Sequence, residues 1–147
     1  MQLEYIEGAR NLSPTTLVQM GLLRFFESST PQELEAYFRE TRLKYLGASR
    51  VMTEALRKEL EKPILLTPNG GFYVILNIAD YGFKNDVEFA ASLSDKQKVS
   101  VVPGSAFGNA LKDSLRLSYA PHVEQHGLIE EGVRRLGRCL KRDYHTV

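Results

Sequence analysis

The stretch VVPGSAFGNALKDSLRLSY, residues 101–119, decides how the rest of the chain must fold. It reads as an apolar strand (Val99 to Val102), a Pro103-Gly104 bend with a further glycine at Gly108, and a second strand, Leu115 to Tyr119. In that second strand one cation, Arg116, stands between two leucines. Charged side chains are rarely buried without a partner, so the pattern asks which anion meets Arg116.

Working outward, FYVILNIA (residues 72–79) is a buried strand, preceded by the turn Thr67-Pro68-Asn69-Gly70-Gly71 and by a short extended run, Ile64 to Leu66. Asn85-Asp86 caps a short helix carrying Val87, Phe89, Ala90 and Leu93. Beyond the second strand, Pro121 is expected to open a last helix, whose Ile129, Val133, Leu136 and Leu140 fall on one face. Arginines and lysines gather toward its C-terminal end, where they favour the helix dipole.

The N-terminal part is helical. Ser13-Pro14 offers an N-cap with proline at the first helical position, ahead of the apolar Leu17, Met20, Leu22, Leu23, Phe25 and Phe26. A helix apolar on several sides needs neighbours on several sides. Thr30-Pro31-Gln32-Glu33 is a capping box that starts a second helix at Pro31. Its apolar residues run at helical spacing to Leu60, and Lys62-Pro63 ends it, giving a rod of roughly 45 Å. Gly47 marks a bend or a close crossing. The predicted order is helix, long helix, strand, helix, strand, strand, helix. This is an α+β layer, a small and mostly antiparallel sheet covered by helices.

Composition narrows the function classes. The 147 residues suffice for one domain burying about two-thirds of its unfolded surface. With 19 basic and 18 acidic residues the net charge is +1, which gives no general attraction to nucleic acid or to an anionic membrane. Cys139 is the single cysteine, so no intrachain disulfide forms, and a reducing, cytoplasmic setting is expected. No apolar run approaches the length of a membrane span.

Four segments in order, LSPTTLVQ, TPNGGFYVILNI, VSVVPGSAFG and LRLSYA followed by IEEGVRRL, resemble the C-terminal part of class I/II, fold-type-I aminotransferases that use pyridoxal phosphate. The resemblance covers about Leu12 to Leu140. It implies residues 1–30 as a lead-in and first helix, like the end of the large domain, and residues 31–147 as the C-terminal domain. It further implies that Arg116 binds the α-carboxylate of an amino-acid or 2-keto-acid substrate. A planar guanidinium matches a carboxylate with two parallel N–H bonds, which a lysine cannot do. The competing reading is an ion pair within the fold, with Asp80, Asp113 or Glu124. Gly70-Gly71 and the Pro103–Gly108 loop serve as bends, and the resemblance places both near the substrate entrance.

The same resemblance puts the lysine that forms a Schiff base with the cofactor, and the groups holding its phosphate and pyridinium nitrogen, N-terminal to everything matched here. Lys96 falls after the GGFY strand, among Asp95, Gln97 and Lys98, and reads as a solvated helix end. This chain alone is therefore expected to bind no cofactor and to be inactive, with a large domain or a second copy as its partner. The alternative is a free-standing, non-enzymatic interaction domain or truncation product. His122 and His126 are four apart and could share a helix face, but HVEQH is not HExxH and the neighbouring proline and Gly127 loosen the local helix, and Cys139 reads as a buried or partly buried thiol.

Overall fold

A computed structural model describes residues 15–62 and 68–144, with side chains as far as Lys141. Two compact units divide the chain between Thr41 and Arg42.

The first unit holds helix α1 (Thr16–Ser28) and the beginning of α2 (Pro31–Glu59). Ser13 and Pro14, the expected start of α1, lie outside the described residues. Thr15 occupies the N-cap position, and its side chain makes no capping bond. The capping box of α2 forms as its residues predict. Thr30 Oγ1 accepts from the Glu33 amide at 3.2 Å, and the Thr30 amide donates to Glu33 Oε2 at 2.8 Å. Two helix-end donors are thereby satisfied reciprocally. Phe25 of α1 meets Tyr37 of α2 edge-on at 6.2 Å. No described residue of α1 is buried.

In the second unit, strand β1 (Tyr73–Asn77), helix α3 (Asp86–Gln97), strands β2 (Val102–Pro103) and β3 (Ser114–Ser118), and helix α4 (His126–Tyr144) follow the rest of α2. The sheet is antiparallel in the order β1-β3-β2, so β3 is central. Arg116 pairs with Ile75 on one side and Val102 on the other. Side chains alternate across a strand. Leu115, Leu117 and Tyr119 therefore join Val74, Leu76 and Ile78 in the core, with Met52 and Leu56 of α2, Leu93 of α3, and Ile129, Val133, Leu136 and Leu140 of α4. The element order and the α+β class are those the sequence predicts.

Three boundaries differ, each for a local reason. β1 stops at Asn77, whose side-chain oxygen accepts from the Ala79 amide at 2.9 Å and turns the chain into a 3-10 turn. The expected strand from Val99 shrinks to Val102–Pro103. Lys98 ends α3 in the left-handed region at φ 57°, pairing begins only at Val102, and Pro103 has no N–H to continue it. Pro121 does not open α4. It sits in a 3-10 turn, Ala120–His122, and bonds of the i to i+3 type run on from Tyr119 through His122 and Gln125 to Leu128. The predicted run Ile64–Leu66 lies outside the described residues. Gly47 faces the His126 ring, but a Cβ there would meet it at 3.5 Å, an ordinary contact, so the close crossing expected at this glycine does not require one.

Candidate functional site

β3 carries Arg116 on the face opposite Leu115 and Leu117, half-buried at the middle of the sheet. Its guanidinium lies 4.3 Å from the centroid of the Phe107 ring and 5.3 Å from that of Tyr73. Tyr73 is the β1 partner of Ser118, two residues along β3, so register alone brings it beside the guanidinium. Phe107 comes from the loop between β2 and β3, at the end of a 3-10 turn, Gly104–Phe107. Each ring attracts the cation through its quadrupole, by about 0.5–1 kcal/mol at a partly exposed site. Neither ring satisfies its N–H groups. The Nε of Arg116 is buried and has no hydrogen-bond partner.

The three carboxylates considered as internal partners lie elsewhere. Glu124 binds Lys44 Nζ at 3.0 Å, Asp80 is exposed, and the buried Oδ1 of Asp113 is itself unpartnered. Among the described residues Arg116 makes no ion pair. A buried N–H left unmade costs about 1–3 kcal/mol, and more when the group is charged. The site is thus arranged around a cation that is held but not neutralised.

A cavity of about 550 Å³ borders the same strand. Arg116, Leu117 and Ser118 form part of its lining, with residues 98–102 and the first turns of α4. His122, in the turn after β3, also lines it and keeps a buried Nδ1 without a partner. Arg134 and Arg135 are already engaged. Their hydrogen bonds, that of Arg134 foremost, hold the Glu131 carboxyl below the usual carboxylate range, and Arg135 also donates to the Gln97 carbonyl at 3.1 Å.

The remaining candidates separate from this site. Lys96 is exposed in the last turn of α3 and does not line the cavity. Lys98 does line it, but is exposed. A lysine that performs covalent catalysis is desolvated or set beside other cations, and neither lysine is desolvated. The groups packed against the guanidinium are two rings, which leave its N–H edges open to an anion. His122 belongs to a 3-10 turn while His126 begins α4, so they share no helix face, and no metal-binding cluster occurs among the described residues. Cys139 is half-buried and packs against the core. Gly71 has φ 73°, which explains a glycine before β1, whereas Gly70 has no positive φ. No helix among the described residues is long and apolar enough to cross a membrane.

Sequence reasoning found Arg116 but missed Phe107 and Tyr73, its aromatic walls. The signal was present in part, since one is the sole aromatic residue of the PGSAFG loop and the other belongs to the GGFY strand.

The family model for aminotransferase class I and II matches residues 3–136. An aspartate aminotransferase of Bacillus subtilis is 30% identical over 136 residues, covering 88% of this chain and 31% of that protein. A probable aspartate/prephenate aminotransferase of Aquifex aeolicus is 33% identical over 129 residues, covering 86% of this chain and 30% of its own length. Among solved structures, the α-aminoadipate aminotransferase of Thermus thermophilus, complexed with N-(5'-phosphopyridoxyl)-L-leucine, superposes with a TM-score of 0.73. It is 27% identical, and the match covers 97% of this chain and 35% of that one. The chain spans about a third of the length of these relatives. On the matched sequence and the shared fold, this chain belongs to the aminotransferase class I and II family.

Proposed function

We propose that this chain supplies the substrate-carboxylate clamp of an amino-acid aminotransferase, with Arg116 as the clamp. One observation carries the reading: a half-buried arginine, walled by Phe107 and Tyr73, whose Nε has no hydrogen-bond partner among the described residues. The two N–H groups along one edge of a guanidinium form a fork that fits the two oxygens of a carboxylate. Rings against the guanidinium hold its plane while leaving its polar edges for the ligand. Arg116 would bind and orient the amino or keto acid, converting random encounter into a fixed approach.

Pyridoxal phosphate supplies the proton-transfer chemistry of the family when bound. The lysine that bonds it and the groups that hold its phosphate lie, in this reading, in a large domain beyond this chain, and the chain alone is inactive. The exposed apolar side chains of α1, Leu17 and Phe26 among them, pack against that domain or a second copy. Adding pyridoxal phosphate to the isolated chain is expected to give no absorbance near the visible edge and no borohydride-fixed lysine adduct. A single lysine fixed in good yield would overturn the assignment of that residue to another domain.

The carboxylate role has its own test. Titrating the chain with pyruvate, followed by the Arg116 Nε–H resonance, is expected to give a saturable shift. Arg116→Lys, which lacks that resonance and is followed by the backbone amides of β3, should weaken binding about tenfold, as expected on losing a bidentate charged contact. A wild-type resonance that does not respond, or equal affinity in the lysine variant, would remove the role.

A further inference from the structure

Phe107 lies against the Arg116 guanidinium, yet about half of its surface (49%) faces solvent, so its own burial does not fix its position. The turn that carries it must do so. That turn is held at two points. At Gly104, an added Cβ would come within 2.2 Å of the Leu111 carbonyl oxygen and 2.9 Å of that of Ser114, so the backbone is pressed against the segment leading into β3. One residue later, the Ser105 amide donates to Asp86 Oδ2 at 2.6 Å and the Ser105 hydroxyl donates to Asp86 Oδ1 at 3.0 Å.

Asp86 is 3% exposed at the first position of α3. The helix cap itself is made by Asn85, whose side chain accepts from the Glu88 amide, so Asp86 is not needed for capping. Both carboxylate oxygens are directed at one residue of the loop, 19 positions away in sequence. A buried polar side chain with its hydrogen bonds made rigidifies the segments it joins. α3 is anchored in turn by Phe89, Ala90 and Leu93 in the core. A rigid line therefore runs from the core through α3 and Asp86 to Ser105, along the 3-10 turn to Phe107, and onto Arg116.

We propose that Asp86 is a positioning residue for Arg116, acting through Ser105 and the Phe107 ring to hold the guanidinium in the orientation that receives a carboxylate. The part concerning carboxylate rests on the function proposed above; the part concerning the guanidinium does not.

The test uses the 147-residue chain and two readouts. The first is the ring-current shift of the Arg116 side-chain protons, with Phe107→Leu marking the loss of the Phe107 share while that of Tyr73 remains. Asp86→Ala is expected to remove at least half of the Phe107 share while amide resonances of α4 stay in place. Asp86→Asn, which keeps an acceptor for the Ser105 amide, should restore most of it. Ser105→Ala, which removes only the hydroxyl donor, should give a smaller loss and serves in place of Asp86→Ala if that variant does not fold. The second readout is pyruvate affinity, expected to weaken about tenfold in Asp86→Ala, the scale of effect that follows from misplacing a binding group. Unchanged ring-current shifts in Asp86→Ala, or in Ser105→Ala where Asp86→Ala does not fold, would overturn the proposal. A wild-type chain that ignores pyruvate while Asp86→Ala moves the ring-current shifts would overturn the carboxylate reading and leave the positioning role supported.

Discussion

At Gly104 and Arg116 a single side chain, or the lack of one, decides the local structure, but the sequence discloses the two to different degrees. Arg116 stood out because a cation between leucines on a strand is anomalous in any fold. Gly104 read only as a bend, and the reason for it is tertiary: two carbonyl oxygens occupy the place of its Cβ. Gly104→Ala should therefore lower stability by about 1–3 kcal/mol through overpacking, read as a fall in the urea midpoint at constant slope. A change below about 0.5 kcal/mol would show that the loop gives way without strain. Phe107 and Tyr73 were hidden for a similar reason. Nothing in a linear pattern says which aromatic residue of a loop or strand end will fold onto a given guanidinium.

Among the elements, α2 was the most legible because its start is a local code. Thr30 and Glu33 satisfy each other's backbone donors without help from the rest of the chain. Removing the hydroxyl in Thr30→Ala should destabilise the helix start by about 1 kcal/mol, measured by thermal unfolding. The Thr30 amide, and then its hydroxyl, also hold the Glu33 carboxyl below the usual glutamate range. With the folded value depressed, the contribution is present above the ordinary glutamate value and is lost as pH falls through the lowered one. An NMR titration of Glu33 should show that low midpoint, moving upward in Thr30→Ala; an unmoved midpoint would contradict the cap geometry. The misplaced start of α4 shows the opposite case. Proline fits the first turn of an α-helix and of a 3-10 turn equally well, and the choice was made by i to i+3 bonds that reach as far as Leu128.

For the molecule as a whole, the core of the second unit and the surface of the first make different demands. Leu136 is buried among the core residues of α4, and Leu136→Ala should lower stability by about 2–5 kcal/mol in denaturant unfolding. In α1 the apolar Leu17, Leu22, Leu23 and Phe26 are all exposed, and surfaces of that kind mark interaction sites. Light scattering at high concentration should report association of the isolated chain, and a clean monomer would count against a partner for α1. The greasiness of α1 was plain in sequence; its partner was not, because an apolar helix carries no address. What the three-stranded sheet and its helices hold in place is Arg116, and the most direct measurement is the titration of its Nε–H resonance with pyruvate. A saturable shift is the predicted result, with pyruvate affinity, read from the backbone amides of β3, about tenfold weaker in Arg116→Lys. A resonance that stays fixed at saturating pyruvate would contradict the account.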